Sequence, residues 1–161
     1  MLFRSVLDAF EQEAANHAVV LHRKREAGIA ELAGHFGAAY SRLVPSGEVA
    51  GLEYSSPTPV ESAAAFAKVL AESRPRDLAL RSTEKGPHRD DVELLLNERA
   101  ARQFASEGQQ RGLVLAMRLA QAAYFRARGG VEPVMLCDDV LGELDPERRA
   151  RFWLTLSGDP Q

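Results

Sequence analysis

The chain has 161 residues, which is enough for one domain with a real core but short for two complete domains. With 45% hydrophobic and 27% charged residues, its composition excludes wholesale disorder and a fibrous protein. A formal charge of −3 argues against a dedicated nucleic-acid binder, which usually carries a basic excess, so any contact with DNA must be local.

A long amphipathic helix is predicted at the start of the chain. Apolar residues recur at steps of three and four from Val6 to Leu43, and the first proline is Pro45. This spacing predicts one long helix or two in line. The Pro45-Ser46-Gly47 sequence ends it, and a short strand is predicted from Val49 to Tyr54.

The middle of the chain is predicted to alternate between helix and strand. Thr58-Pro59-Val60-Glu61 has the form of a capping box with proline at the first helical position. The helix it opens is predicted to reach Ser73 and to be closed by Arg74-Pro75. Alternating polarity predicts a strand over 77–82, and the Asn97-Glu98 turn signal predicts a hairpin from Val92 to Phe104.

The segment from Ala105 onward has the clearest signals. Ser106-Glu107-Gly108-Gln109 is a second capping box, and the helix it opens is predicted to end at Gly129-Gly130. The apolar run 134–137 predicts a strand buried on both faces of a parallel sheet, and Asp138-Asp139 follows it. A last helix is predicted from about Pro146 to Leu156.

Two of these segments have residues suited to nucleotide chemistry. A carboxylate at the carboxyl end of a buried strand can hold Mg²⁺ while its neighbour polarises an attacking water, although paired aspartates also end ordinary strands. A helix N-terminus presents free N–H groups to a phosphate, Gly108 permits close approach and Ser106 adds a hydroxyl donor. The alternative is that this segment is only a capped helix with exposed glutamines and does not bind a phosphate.

Three motifs in order resemble the RecF family of ABC-type ATPases, and more distantly the SMC proteins. They are Gly-Pro-His-Arg-Asp-Asp at 86–91, Phe-Ala-Ser-Glu-Gly-Gln-Gln-Arg at 104–111, and the run from Leu136 to Asp145. The resemblance is strong over 76–156 and looser before that. It implies an α/β fold, namely a partial ABC-type ATPase domain whose P-loop NTPase-like sheet is incomplete. Residues 1–75 would form a helical arm with a short strand and 76–161 the ATPase-head portion.

The resemblance also implies roles for individual residues. Ser106, Gly108 and Gln109 would meet the γ-phosphate of an ATP that an opposing subunit holds. Asp138 would bind Mg²⁺ and Asp139 would take the catalytic carboxylate position.

Two further motifs are assigned by the same resemblance. Gly142-Glu143-Leu144-Asp145 would be the D-loop at a dimer interface, although Gly142 stands where serine is expected. For His88 and Arg89, a ligand contact and a rigid turn with a hydrogen-bonded histidine both remain open.

The sequence has no G-x-x-x-x-G-K-[ST] motif, so it lacks its own cradle for the β- and γ-phosphates. The resemblance therefore implies half of a composite site, and hydrolysis of ATP by this chain alone is not expected. ATP and Mg²⁺ would be cofactors of a larger assembly, either a homodimer or a complex with a P-loop-bearing partner. The chain is expected to be a fragment or to pair with another polypeptide. Double-stranded or gapped DNA and recombination mediator proteins would be its other partners.

Two other functions remain open. A metal-dependent nuclease could use Asp138 and Asp139 together with Asp90 and Asp91, because two-metal sites need clustered carboxylates. A non-catalytic interaction module could use the long N-terminal helix.

A cytoplasmic location is expected. The sequence has no apolar run of the roughly 20 residues that span a bilayer, and no signal-peptide core. Its single cysteine, Cys137, excludes an intrachain disulfide and a multi-cysteine zinc site.

Overall fold

The computed structural model describes residues 2–44, 47–58, 60–130, 132–136 and 146–157. Its three strands form one sheet in the order β1-β2-β3, and β3 runs antiparallel to β2. This mixed content confirms the predicted α/β class, with a small sheet in a largely helical chain. In chain order the elements are α1 (Leu2–Leu43), β1 (Ala50–Ser55), α2 (Ala63–Leu80), a 3₁₀ turn (Pro87–Arg89), β2 (Asp91–Leu96), β3 (Arg99–Ala100), α3 (Ala101–Phe104), α4 (Glu107–Gly129) and α5 (Pro146–Ser157).

The chain divides into two compact units, each with its own core. Unit 1 comprises residues 1–28 and 54–92, and unit 2 comprises residues 29–53 and 93–161. The core of unit 1 consists of Ala15, Ala18, Val19, Val60, Phe66 and Leu70. The largest fully buried side chains of unit 2 are Tyr40, Phe36, Phe152, Leu43 and Leu113. The predicted division into a helical arm (1–75) and an ATPase-head portion (76–161) is a statement about function. The two compact units do not test it, and it stays a prediction.

Three predicted helices are confirmed: the one that begins the chain, the one that follows Ser106, and the last one. α1 is one continuous helix of 42 residues. α4 begins after Ser106 and ends at Gly130, whose φ of 62° is the left-handed conformation that glycine adopts at helix ends. α5 covers the predicted last helix. No described helix is both long and apolar enough to cross a membrane.

The start of α2 differs from the prediction. Ser62, not Thr58, caps the helix, because its side-chain oxygen accepts a hydrogen bond from the Ala65 amide at 3.2 Å. Thr58 is 2% exposed and Val60 is 6% exposed. Burying these two side chains in unit 1 moves the first helical turn to the next available cap.

The end of α2 also differs, and the strand predicted over 77–82 is wrong. α2 continues through Pro75 to Leu80 and closes on Arg81, which has a φ of 52°. A proline inside a helix costs a backbone hydrogen bond. Here the Arg74 guanidinium donates to the carboxylates of Glu11 and Asp8 on α1, which anchors α2 at the residue directly before the proline.

The hairpin prediction is confirmed at its turn. Asn97 and Glu98 both have positive φ, 50° and 62°, as a two-residue hairpin turn requires. The Asn97 side chain also accepts a hydrogen bond from the Val49 amide at 2.8 Å. The second strand is shorter than predicted, however, because β3 ends at Ala100 and residues 101–104 form α3.

The buried strand predicted over 134–137 is not present in the part of it that the structure describes. Val134 and Leu136 have no regular secondary structure and are 88% and 92% exposed. A strand of this kind is stabilised by hydrogen bonds to strands on both sides. The described sheet contains β1, β2 and β3 alone, so no described strand lies beside this segment. Cys137 lies outside the described residues.

Candidate nucleotide-facing site

The N-terminus of α4 is closed by a reciprocal pair of hydrogen bonds. The Ser106 hydroxyl accepts from the Gln109 amide at 3.3 Å, and the Gln109 side-chain oxygen accepts from the Ser106 amide at 2.7 Å. This confirms the predicted capping box. A hydroxyl that accepts a hydrogen bond still has its own hydrogen to donate, and the amides of Glu107 and Gly108 have no partner within the helix. Ser106 and Glu107 are exposed.

A buried tyrosine and a glutamate support the capping box from inside unit 2. The Gln109 side-chain amide donates to Glu48, whose other oxygen accepts from the Tyr40 hydroxyl at 3.0 Å. Burial raises the pKa of Tyr40 above its ordinary value, and the hydrogen bond to Glu48 adds to the effect. Tyr40 therefore stays protonated as a donor. Since both ends of the Gln109 carboxamide have partners in the unit, Gln109 orients the cap in this structure, and its contact with nucleotide stays a prediction.

Gly108 lies beside an arginine from the last helix. Its carbonyl accepts a hydrogen bond from Arg148 of α5 at 3.3 Å. A Cβ atom added at position 108 would lie 3.5 Å from the same Arg148 nitrogen, an ordinary van der Waals distance. The fold of unit 2 therefore tolerates a methyl group here, and a requirement for glycine would have to come from a ligand.

Close packing fixes the direction of α4. Gly112 is buried, and a Cβ atom there would lie 3.4 Å from Val44 and 3.5 Å from Tyr40. The same helix buries a line of apolar side chains at Leu113, Leu115, Ala116, Leu119 and Ala120. These contacts hold the capped end of α4 at the surface of unit 2 in a fixed orientation.

The Gly-Pro-His-Arg segment is a tight turn in unit 1. Gly86 has a φ of 142°, which favours glycine, and Pro87 begins the 3₁₀ turn. The His88 Nε2 atom lies 2.8 Å from the Thr83 carbonyl oxygen, to which Arg89 also donates at 3.4 Å. Both side chains therefore have local backbone partners, and a contact of either with nucleotide stays a prediction.

Asp90, at the end of this turn, is a buried carboxylate with three donors. Its side chain is 2% exposed and accepts hydrogen bonds from the Tyr54 hydroxyl, from Ser56 at 2.8 Å and from Arg25 at 3.2 Å. Burial raises the pKa of Tyr54 to about 12, and the hydrogen bond to Asp90 contributes. Arg25 also donates to the Pro87 carbonyl. Arg25, which belongs to the basic run at 23–25, thus has a structural role that the sequence did not indicate.

These contacts leave the nuclease hypothesis unsupported. The Asp90 carboxylate is occupied by protein donors, and the Asp91 side chain accepts from the Val92 amide at 2.8 Å. Among the described residues no group of three or more His, Cys, Asp or Glu side chains could hold a metal ion. Asp138 and Asp139 lie outside the described residues.

The predicted D-loop also lies outside the described residues. The structure thus leaves the roles predicted for Gly142, Glu143, Leu144 and Asp145 untested. Of the predicted nucleotide-contacting residues, it places Ser106, Gly108 and Gln109 together in one helical turn.

No protein-family model matches the chain, but curated proteins do. It is 36% identical over 151 residues to the DNA replication and repair protein RecF of Heliobacterium modesticaldum, a match covering 91% of this chain and 41% of that protein. It is 34% identical over 161 residues to RecF of Geobacter sulfurreducens, covering 96% and 44%.

A solved structure of the recombination mediator protein RecF with ATP, from the RecFOR pathway, is also similar to this chain. The TM-score is 0.83 at 26% sequence identity, and the match covers 96% of this chain and 43% of that one. The chain therefore spans about two fifths of the length of the relatives and of the solved structure it matches.

Proposed function

This chain belongs to the RecF family, and from that premise we propose that it acts in DNA replication and repair by presenting a signature helix to ATP. The ATP is held by a P-loop that lies on another polypeptide or in another part of a longer one. In this proposal the assembly binds double-stranded DNA at gaps in an ATP-dependent way, together with recombination mediator proteins.

The observation that carries the proposal is the capped N-terminus of α4. The Ser106 hydroxyl is oriented by the Gln109 amide and keeps a hydrogen to donate to a phosphate oxygen. The free amides of Glu107 and Gly108 supply two more donors, and the helix dipole adds partial positive charge. These groups suit the terminal phosphate of a nucleotide better than an uncharged ligand.

The rest of the ATP site must come from elsewhere. The sequence has no phosphate-binding loop, and without one the β- and γ-phosphates are not cradled. Asp138 is proposed as the Mg²⁺ ligand of the assembled site and Asp139 as the carboxylate that polarises the attacking water. The segment 142–145 is proposed to lie at the interface between the two polypeptides. When bound, Mg²⁺ would neutralise charge on the phosphates.

A chimaera provides the test. In it, this chain replaces the matched 151 residues of the Heliobacterium modesticaldum relative. We expect the chimaera to self-associate when ATP is added, as measured by light scattering. Ser106→Arg should abolish this response, because the guanidinium group fills the space that the γ-phosphate would take.

The matched control is Val114→Arg, which adds the same side chain two turns along the helix at a position that is 54% exposed. This variant should respond to ATP like the parent chimaera. Full ATP-dependent association of the Ser106→Arg chimaera would show that the signature assignment is wrong.

A further inference from the structure

Unit 1 has a large open groove that the proposed ATP chemistry does not use. Its volume is about 1010 Å³, and it is lined by α1 from Leu7 to Lys24, by α2 from Phe66 onward and by the following loop as far as His88. The apolar part of the lining includes Leu7, Phe10, Leu21, Phe66, Leu70 and Leu78.

Several of these apolar side chains face water. Phe10 is 71% exposed, Leu78 is 62% exposed and Leu21 is 41% exposed. Burying a large apolar side chain stabilises a protein by about 1.5–3 kcal/mol. Several such side chains exposed in one groove are typical of an interaction surface.

The spacing along α1 fits a helical occupant. Of the nine residues of α1 that line the groove, those at 7, 10, 14, 17, 21 and 24 follow each other at alternating steps of three and four, the spacing of a seam between packed helices. At about 1.5 Å per residue this seam is roughly 25 Å long, or about five turns. A helix of similar length could therefore pack along it.

The charged side chains at the groove indicate which kind of helix would bind there. Lys24, Arg81 and Lys85 line the groove, and in the described part of the chain none of their side chains has a hydrogen-bond or ion-pair partner. The unpaired charge around the groove is therefore positive, and acidic residues would complement it.

The two acids of the lining are already engaged. Glu11 accepts from Arg74 at 2.8 Å. Asp77 accepts from the Ser73 hydroxyl and from the Glu84 amide, each at 3.1 Å. Glu11 is neutralised by Arg74, whereas Asp77 is held by uncharged donors and keeps its charge. Three cations therefore stand against one carboxylate in the lining, and the excess charge is positive.

We propose that this groove binds an amphipathic helix with acidic flanks that belongs to the polypeptide carrying the P-loop. The inference rests on the proposed function and specifies where that polypeptide is held. The curated relatives are more than twice as long as the matched part, since the chain covers 41% and 44% of them, so more than half of their length is available to supply such a helix. Contact through ATP alone would be lost after each hydrolysis. A nucleotide-independent contact keeps the two parts at a high effective concentration between cycles.

The experiment mixes the full chain with the part of the Heliobacterium modesticaldum relative outside the matched residues, as a separate polypeptide and without nucleotide. Calorimetry should detect binding, which Phe10→Glu or Leu78→Glu should weaken about tenfold or more, as expected when an interface anchor is lost. Leu80→Glu is the matched control, since Leu80 is 53% exposed on the same helix but does not line the groove. It should bind like the wild type.

A second pair of variants tests the charge. Lys24→Glu should weaken binding, whereas Arg23→Glu, next to it but outside the groove lining, should not. Each variant is first checked by circular dichroism and thermal unfolding. Because the substituted side chains are exposed, the variants should fold like the wild type.

Other outcomes separate this inference from the proposed function. Ser106→Arg should leave nucleotide-free binding unchanged, because it alters the phosphate-facing turn alone. If the groove variants bind like the wild type while Ser106→Arg still abolishes ATP-dependent association of the chimaera, the proposed function stands and the docking inference is wrong. The inference is also wrong if the wild-type chain fails to bind, or if Phe10→Glu instead breaks a dimer of the chain itself.

Discussion

At the scale of single residues, Asp90 illustrates how a buried carboxylate fixes a turn. A buried charge without donors is strongly unfavourable, and here Tyr54, Ser56 and Arg25 supply them. Tyr54→Phe removes one donor and keeps the ring. We expect it to lower the free energy of unfolding by about 1.5–3 kcal/mol, the typical contribution of one hydrogen bond to a charged group, because Ser56 and Arg25 remain as donors to Asp90. Urea denaturation at neutral pH measures this difference.

The stability difference between the wild type and Tyr54→Phe should depend on pH. Folding raises the pKa of Tyr54 from 10.0 to about 12, so the folded state holds the phenol proton more tightly than the unfolded state. The resulting stability is fully present below pH 10 and is lost as the pH rises towards 12. The stability difference between wild type and Tyr54→Phe should therefore shrink over this interval. A difference that stays constant would contradict the raised pKa.

A substitution at Gly108 can distinguish a structural role of this residue from a functional one. An alanine side chain there meets Arg148 at an ordinary distance, so Gly108→Ala should leave thermal stability unchanged or raise it by up to about 1 kcal/mol, the helix-propensity difference. In the chimaera, however, the methyl group should hinder approach of a phosphate and weaken ATP-dependent association. Thermal unfolding and light scattering on the same sample test both parts. An undiminished response to ATP would mean that no phosphate approaches position 108.

At the scale of elements, α4 depends on a close contact with the C-terminal end of α1 and the residue that follows it. The Cβ of an alanine at position 112 would lie 3.4 Å from Val44 and 3.5 Å from Tyr40, so Gly112→Ala should have little effect. Gly112→Val adds two methyl groups to a space without room for them, and we expect it to cost about 1–3 kcal/mol. Chemical denaturation of the two variants measures the contrast. Equal stability would mean that the helices can separate without cost.

The elements that the sequence predicted well are those with local signals. The capping box at Ser106, the turn at Asn97-Glu98 and the left-handed Gly130 each depend on residues a few positions apart. α2 was predicted poorly because tertiary contacts override its local signals. The ion pairs of Arg74 with α1, for example, hold the helix at the residue directly before Pro75.

The candidate site was likewise predictable in part. The motif at 106–109 located the capped turn proposed to meet a phosphate, because the cap and the glycine are close together in sequence. Its support was not predictable, since Glu48 is 61 positions from Gln109. For the same reason no pattern indicated that Arg25 binds Asp90, which is 65 positions away.

At the scale of the whole molecule, the exposed apolar segment at 134–136 is the main departure from the predicted fold. Val134 and Leu136 are 88% and 92% exposed, although their sequence is typical of a strand with neighbours on both sides. Edge or unpaired strands of this kind pair readily with another chain. To form a strand, this segment needs neighbouring strands to which its backbone can hydrogen-bond. None of the described strands lies beside it.

The need for neighbouring strands leads to a prediction that amide hydrogen exchange can test. In the isolated chain, the amides of Val134, Met135 and Leu136 should exchange rapidly, because the structure gives them no ladder partner. In the chimaera, which contains the remaining length of a relative, strand pairing should slow their exchange by orders of magnitude. The amides of Leu115 and Ala116, buried in α4, serve as an internal reference that should be protected in both proteins. If the segment exchanges equally fast in the chimaera, its apolar sequence has a different role and the predicted parallel strand does not form.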